Sequence, residues 1–358
     1  KAERGNFGGA EIKMAALARS LARTGRAEVV LLTEGEPFNV AESNISVRKI
    51  ELPVKRGMPG LSRVVNDNRV QRTFAYSTEH AIFLASQIEK IFLFDYARKN
   101  GITSVYRINA NSLVDKSPLV TPEWHKFVFE RVNAADEIMT QNEYQQEQLL
   151  KNYGIQSTIM DGLHDTEELK VFPDQDGTVL WVGRCVAIKR PWIFVELAKA
   201  LPEYQFVMVT PHENADLSSA ILAESEVVPN LHVIDYVPRE EMLQYYARSN
   251  MVVSTSWSEG MPSTLLEASF SKRPYISFML EFDASIKRSG FVINAHNDLQ
   301  TLINEVRLLQ TDESLRKEYG EKAYAYAQYR WNEDEIVNDH IEYFLRVSKT
   351  GGANETQN

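Results

Sequence analysis

Two glutamates stand eight positions apart in residues 257–268, where their surroundings suit a ligand that carries both hydroxyl groups and phosphate. The apolar run at 251–255 predicts a buried parallel strand, and Pro262 is placed to open a helix after it. Glu259 is therefore expected in the strand-to-helix turn and Glu267 inside the helix. Carboxylates accept hydrogen bonds from hydroxyl groups, and the unpaired amides of a first helical turn bind phosphate oxygens. The segment predicts a site for a phosphorylated polyol.

A second candidate site holds a glycine and two basic residues after a strand predicted at 178–182. Gly183 and Arg184 follow that strand, and Lys189 comes five positions after Arg184. A guanidinium and an ammonium group on one loop can neutralise a diphosphate that departs in a reaction. An ordinary pair of surface cations is the alternative. The next residue, Arg190, is expected to be solvated.

Glycines also precede the first predicted helix. Residues 5–11 contain three of them, and Met14, Leu17 and Leu21 then follow helical spacing. Glycine lets the backbone approach a phosphate closely, although a plain tight turn explains the pattern as well.

Together these segments resemble the retaining glycosyltransferases of family 4, whose signature is a Glu-x7-Glu motif and whose fold is GT-B. By that resemblance Glu259 contacts the donor sugar, while Arg184 and Lys189 bind the donor diphosphate, and these three residues are the implied catalytic set. The implied donor-binding residues are Gly9, Gly260, Met261, Pro262, Ser263, Thr264, Glu267, which faces the ribose, and Tyr236, beside the base. Arg107 and Asn109, at the end of a strand predicted at 104–109, are the implied acceptor contacts.

The chain departs from the family pattern at four places. The family's lysine-glycine pair is Lys189-Arg190 here, and Asn109 stands where related enzymes often carry a histidine facing the donor sugar. The segment 279–283 lacks the usual glycine pair. The family's first strand would lie just upstream of Lys1, so either the numbering starts after it or the N-terminal sheet lacks a strand. The departure at 279–283 leaves the donor sugar open. Related enzymes hold the base through backbone groups at the position of residues 235–238, which leaves UDP, GDP and ADP unseparated.

Strand and helix patterns alternate in both halves, which predicts an α/β chain of two doubly wound, Rossmann-like domains with an interdomain cleft. We predict an acceptor-binding domain at 1–162, completed by a returning helix within 331–348, and a nucleotide-sugar-binding domain at 163–330. A polar stretch at 166–177 is the predicted linker, residues 53–72 a long basic loop, and residues 349–358 a disordered tail.

Composition narrows the function classes. The 358 residues favour about two domains. The net charge of −10 argues against a general nucleic-acid partner. The single cysteine fits a reducing compartment, and no run approaches the roughly 20 apolar residues of a spanning helix. We expect a cytoplasmic protein, with room for peripheral contact at the inner membrane face. His164 has no second ligand at metal spacing, so no metal site is expected.

The resulting hypothesis is a retaining transferase that moves a sugar from a UDP- or GDP-linked donor to a glycan or lipid-linked acceptor. No metal and no other cofactor is expected; the nucleotide-sugar is a co-substrate. The resemblance implies cell-surface polysaccharide synthesis. Two alternatives stay open, a nucleotide-sugar epimerase of similar fold and a non-catalytic homologue that binds a nucleotide or glycan. A dinucleotide dehydrogenase is disfavoured because no G-x-G-x-x-G pattern opens a helix.

Overall fold

The structure, a computed structural model, describes residues 9–33, 44–49, 81–86, 93–115, 121–164, 177–211, 215–279 and 282–350. The chain divides into two compact units. Unit 1 comprises Lys1–His164 and Glu333–Asn358, and unit 2 comprises Asp165–Asn332. The roles assigned to the two domains stay predictions.

Several predicted features lie outside the described residues. They are the start of the glycine loop at 5–8, the basic loop at 53–72, the linker at 166–176, the pair 280–281 and the tail from 351.

Unit 1 contains two parallel sheets among its described residues. Its strands are β1 (Val29–Thr33), β2 (Ile45–Lys49), β3 (Ile82–Ala85), β4 (Thr103–Arg107), β5 (Glu137–Thr140) and β6 (Thr158–Ile159). Its helices are α1 (Gly9–Arg23), α2 (Phe94–Lys99), α3 (Pro122–Val132) and α4 (Glu143–Tyr153). β1 pairs with β2, and β3 to β6 form a four-stranded sheet in chain order. This order is typical of one half of a doubly wound domain.

Helix α12 (Glu333–Thr350) belongs to unit 1, although the whole of unit 2 precedes it in the chain. Tyr343 and Val347 on this helix pack against Val105 of β4 and Met139 of β5. Near its start, Ser20 of α1 donates to the Glu333 carboxylate at 2.6 Å. The helix therefore supplies part of the core that covers the four-stranded sheet.

Unit 2 is built on one six-stranded parallel sheet. Its strands are β7 (Val179–Val182), β8 (Phe206–Val209), β9 (Leu231–Ile234), β10 (Met251–Ser254), β11 (Tyr275–Ser277) and β12 (Val292–Asn294). Its helices are α5 (Pro191–Ala200), α6 (Ala215–Ser225), α7 (Arg239–Arg248), α8 (Ser263–Phe270), α9 (Ala284–Ser289), α10 (Leu299–Thr311) and α11 (Glu313–Arg330). The central strands are buried and apolar, which suits a sheet covered on both faces.

The strand order of this sheet is β12-β11-β10-β7-β8-β9. The chain builds outward from β7 through β8 to β9, then crosses back to β10 and continues to the other edge. The order therefore reverses between β7 and β10. In open α/β sheets a ligand binds beyond the carboxyl ends of the strands at such a reversal.

Most predicted elements are present with shifted ends. The strand predicted at 104–109 lies at Thr103–Arg107, and Pro262 directly precedes α8 rather than opening it. Among the described residues, no helix combines the length and the apolar composition that a membrane span requires.

Candidate active site

The loop after β7 turns sharply before α5 begins. A 3-10 turn at Ala187–Lys189 ends at Arg190, whose backbone is left-handed, with φ 48° and ψ 54°. Pro191 opens α5 and disfavours a right-handed helical conformation at the residue before it. Left-handed backbone is uncommon outside glycine. Arg190, which stands where the family pattern has glycine, thus occupies a left-handed position at which glycine would be free of strain.

Gly183 makes room for a tryptophan that reaches the neighbouring strand. A Cβ atom at Gly183 would stand 3.0 Å from the Trp181 ring, closer than side chains normally pack. The Trp181 indole donates to the Thr255 hydroxyl at 2.8 Å. That hydroxyl in turn donates to the Lys189 carbonyl at 2.7 Å. Glycine at this position therefore serves packing against Trp181.

Backbone contacts complete the junction between this loop and the segment after β10. The Trp257 amide donates to the Ile188 carbonyl at 2.8 Å. The Arg190 side chain donates to the Thr255 carbonyl at 2.7 Å and to the Ser256 carbonyl at 3.3 Å. The two segments singled out from the sequence are thus joined at the strand-order reversal.

Lys189 and Glu259 form an ion pair across this junction. Their side chains are 21% and 18% exposed, so the pair is shielded without being sealed from solvent. Seventy residues separate the two in sequence. The structure therefore brings one charged residue from each motif into direct contact.

Helix α8 follows within four residues of Glu259. Its N-cap residue, Pro262, offers no side-chain acceptor to the first turn. Ser263 and Thr264 begin the helix, and Glu267 in its second turn is 8% exposed. Gly260 and Met261 lie in the turn between Glu259 and the helix. The arrangement places a carboxylate before an uncapped helix start and a second carboxylate inside the helix.

Tyr275 of β11 supports the start of α8 from within the core. Its hydroxyl lies 3.2 Å from the Thr264 hydroxyl, and Ser254 also hydrogen-bonds to it. Burial raises the pKa of Tyr275 far above its ordinary value, and the nearby Glu259 carboxylate raises it further. The phenol therefore stays protonated and keeps its hydrogen bonds.

Other predicted donor residues are more exposed or lie elsewhere. Arg184 is exposed on the same loop as Lys189. Tyr236 follows β9, at the edge of the sheet, and is 49% exposed. Gly9 is the first residue of α1 in unit 1. Their roles stay predictions.

The two predicted acceptor residues have partners within unit 1. Asn109 donates to the Ser86 carbonyl at 2.9 Å, which ties the segments after β3 and β4 together. Arg107 is 3% exposed; its guanidinium donates to the Met160 carbonyl at 3.0 Å and lies 3.1 Å from His340 Nε2. The acceptor role of Arg107 stays a prediction. Its side chain is buried and bonded within unit 1.

The expectation that Arg190 is solvated is wrong. The side chain is 8% exposed and donates to Asn297 at 2.9 Å in addition to its two carbonyls. Its neighbours come from parts of the chain 65 to 107 residues away, so the local sequence could not reveal its burial. Thr255, Trp181 and Tyr275 were missed for the same reason. The one available signal was an arginine standing where the family carries glycine.

Trp331 is 3% exposed and lies in ring contact with Phe270 and Tyr326. Within the described ranges, no group of three or more His, Cys, Asp or Glu side chains is arranged to hold a metal ion.

Comparison with known proteins finds a family model that matches part of the chain. Residues 165–326 match the family model of glycosyl transferases group 1. The matched region includes both Lys189 and Glu259, together with all of α8.

A curated relative and two solved structures are also similar to this chain. Poly(ribitol-phosphate) alpha-N-acetylglucosaminyltransferase of Staphylococcus aureus (strain COL) is 21% identical over 230 residues, covering 61% of this chain and 46% of the relative. Sucrose-phosphate synthase from Thermosynechococcus elongatus has a TM-score of 0.79 at 13% identity, covering 96% of this chain and 94% of that one. An S. aureus TarM mutant in complex with fondaparinux, alpha-GlcNAc-glycerol and UDP has a TM-score of 0.66 at 17% identity, covering 77% and 58%.

The fold is GT-B, as the sequence predicted. The chain spans about half the length of the curated relative it matches. The similarity to solved structures concerns the fold, while the sequence similarity to glycosyltransferases rests on the partial family match and the relative.

Proposed function

We propose that this protein is a retaining glycosyltransferase of the family 4 type, which moves a sugar from a nucleotide-sugar donor to a glycan or lipid-linked acceptor. The observation that carries the proposal is the Lys189–Glu259 ion pair. It lies where the strand order of unit 2 reverses and close to the uncapped start of α8. A cation, a carboxylate and a helix start without a side-chain cap at such a point suit a sugar diphosphate.

Lys189 and Arg184 are proposed to bind the donor diphosphate. Glu259 balances the charge of Lys189 in the structure. A bound diphosphate would compete for that ammonium group and free the Glu259 carboxylate for the sugar hydroxyls. The amides at the start of α8 would share the phosphate charge, and Glu267 would accept from the ribose hydroxyls. Tyr236 is proposed to lie beside the base.

The proposed chemistry is stabilisation of a departing nucleoside diphosphate by fixed positive charge. The bond between the anomeric carbon and the diphosphate oxygen breaks, and the electron pair leaves with that oxygen. Arg184, Lys189 and the α8 amides stabilise the charge that develops on it. The acceptor hydroxyl forms the new bond on the face that the diphosphate leaves, and its proton passes to the departing phosphate oxygen. The anomeric configuration is thereby retained, without a metal ion.

Acceptor and donor are proposed from the relatives. The curated relative acts on poly(ribitol phosphate), which supports a cell-surface polymer as acceptor class. The TarM complex contains UDP, which makes UDP the first nucleotide to examine. Asn109, Arg107 and the Gly9 region of unit 1 remain the proposed contacts outside unit 2. We propose action at the cytoplasmic side, with peripheral contact where the acceptor is lipid-linked.

A thermal-shift experiment tests the donor site. Wild type, Glu267→Gln and the surface control Glu196→Gln are each heated with UDP, GDP or ADP. A nucleotide at a hundred times its Kd stabilises the folded state by about 2.7 kcal/mol. We expect one nucleotide to raise the melting temperature of wild type and of Glu196→Gln, with a much smaller rise for Glu267→Gln. Absence of any shift in wild type would contradict the proposal.

A transfer assay then separates the proposal from its alternatives. UDP release from UDP-N-acetylglucosamine is measured with and without poly(ribitol phosphate), and the product linkage is determined by NMR. Acceptor-dependent release with an α-linkage supports a retaining transferase. An isomerised sugar formed without acceptor would indicate an epimerase, and nucleotide binding without any turnover would indicate a non-catalytic homologue.

A further inference from the structure

We propose that Arg190 is a positioning residue that holds the Lys189 loop against the Glu259 segment, so that both side chains are preset for the diphosphate end of a nucleotide-sugar. The ligand in this inference rests on the proposed function. The junction itself rests on contacts within unit 2.

The guanidinium of Arg190 bridges two chain segments. It donates through Nε to the Thr255 carbonyl, through Nη2 to the Ser256 carbonyl and through Nη1 to the Asn297 side chain. Thr255 and Ser256 connect β10 to Glu259, while Arg190 itself directly follows Lys189. A planar guanidinium can satisfy three acceptors in fixed directions, which a lysine ammonium on a flexible stem does not reproduce.

Aromatic rings hold the same guanidinium from other directions. Its Cζ atom lies 5.1 Å from the centroid of the Trp257 ring and 4.9 Å from that of Phe278. Both distances fall within the range of cation–π attraction. Because Trp257 also donates its amide to the Ile188 carbonyl, the ring and backbone of one residue are both fixed to the Lys189 loop.

The backbone conformation of Arg190 supports a role for its side chain in holding the two segments together. Its φ of 48° lies in the region where glycine is free of strain and other residues are disfavoured. Glycine would satisfy the turn but would offer no side chain to join the segments. The arginine therefore accepts an uncommon backbone conformation while its side chain forms the bridge.

Substitution with glycine separates the side chain from the backbone, since glycine keeps the left-handed turn. Lys272→Gly is a matched control, because Lys272 also has a left-handed backbone, with φ 55°, and carries a cationic side chain in the same unit. Both variants remove one positive charge and relieve the same kind of strain. Arg190→Lys keeps the charge and loses the planar fork.

The first readout needs no ligand. Hydrogen exchange of the Trp257 amide reports the junction directly, because that amide is bonded to the Ile188 carbonyl. We expect at least tenfold faster exchange at Trp257 in Arg190→Gly, a smaller increase in Arg190→Lys and no change in Lys272→Gly. Equal exchange in Arg190→Gly and wild type would overturn the bridging role.

The second readout compares UDP with UMP by calorimetry. In Arg190→Gly, displacement of Lys189 and Glu259 should weaken UDP binding about tenfold, which is the effect of losing one charge-assisted hydrogen bond. The affinity for UMP should change much less. A variant that binds both nucleotides less tightly by the same factor would overturn the preset diphosphate site. If wild type binds neither nucleotide, UDP is the wrong ligand, and the proposed function fails only if GDP and ADP also give no thermal shift. The exchange measurement still decides whether Arg190 joins the segments.

Discussion

Arg107 and Arg190 are both buried, one in each unit, and they hold different kinds of structure together. Arg107 joins the end of β4 to His340 on α12 and to the Met160 carbonyl. Arg190 joins the loop after β7 to the segment after β10. The first connects a helix to a sheet, while the second connects two loops that carry charged groups.

The electrostatic surroundings of Arg107 and Arg190 also differ. Burial lowers the pKa of Arg107 to about 10, partly offset by Asp161. Its partner His340 accepts at Nε2, because Nδ1 donates to the Ile336 carbonyl at 2.7 Å. Arg190 lies among carbonyl oxygens and aromatic rings, next to the Lys189–Glu259 pair. Both arginines are buried, so burial does not distinguish their roles. The groups that each arginine joins distinguish them.

The largest effect is expected at Lys189, in the loop that Arg190 holds. Replacing Lys189 or Arg184 by alanine should lower turnover by roughly 10²–10³-fold, as for other groups that stabilise developing charge. Lys199→Ala is the control, since Lys199 lies near the end of α5 in exposed ion pairs. Steady-state donor turnover measures the loss. Near-normal turnover in both single variants would remove these residues from the mechanism.

The contact of Arg107 with His340 leads us to expect that the stability of unit 1 depends on pH. Burial and the Arg107 charge lower the pKa of His340 from 6.5 to about 3. Between these pH values the unfolded chain binds a proton that the folded chain lacks, so acid favours unfolding. Stability from this site is complete above pH 6.5 and falls by up to about 1.4 kcal/mol per pH unit as pH drops toward 3.

His340→Gln tests this effect, because glutamine offers an acceptor to Arg107 and does not titrate. Trp124 is the one tryptophan in the sequence of unit 1, so a 5-fluorotryptophan label gives a 19F signal for that unit during urea unfolding. We expect wild type to lose more stability than the variant between pH 6.5 and 5. Parallel pH dependence of the two proteins would contradict the assignment.

The smallest effect is expected at Tyr275, which contacts the unit 2 site only through other residues. Tyr275→Phe removes the hydroxyl beside Thr264 and should weaken UDP binding by roughly two- to tenfold, the contribution of one neutral hydrogen bond. Tyr246→Phe, at another buried tyrosine of unit 2, serves as control. Calorimetric UDP affinities compare the two. Equal affinities would show that the α8 start does not depend on this hydroxyl.

The sequence predicted the parallel strands well because each is a short apolar run between turn residues. The strands predicted at 178–182 and 251–255 lie at Val179–Val182 and Met251–Ser254. The strand Val292–Asn294, three residues long, and the helix Ala215–Ser225, with a weakly apolar face, were missed. Periodicity needs several residues and a distinct face before it identifies an element.

The site was predictable where chemistry and spacing coincide, and hidden where distant segments meet. Glu259 and Lys189 stand out in the sequence because charged residues follow buried strands. Arg190 does not, because Lys-Arg-Pro resembles any solvated basic turn. Its burial depends on Thr255 and Asn297, which only the tertiary structure brings to it.

The return of α12 to unit 1 has a consequence for synthesis on the ribosome. Tyr343, Val347 and His340 emerge only after Asp165–Asn332 have been translated. At 5–20 residues per second, this takes roughly ten to thirty seconds. During that interval Val105 and Met139 lack their cover and Arg107 lacks its histidine. The nascent first unit thus waits with an open apolar face, a natural point for a chaperone to act, while unit 2 can complete its own sheet first.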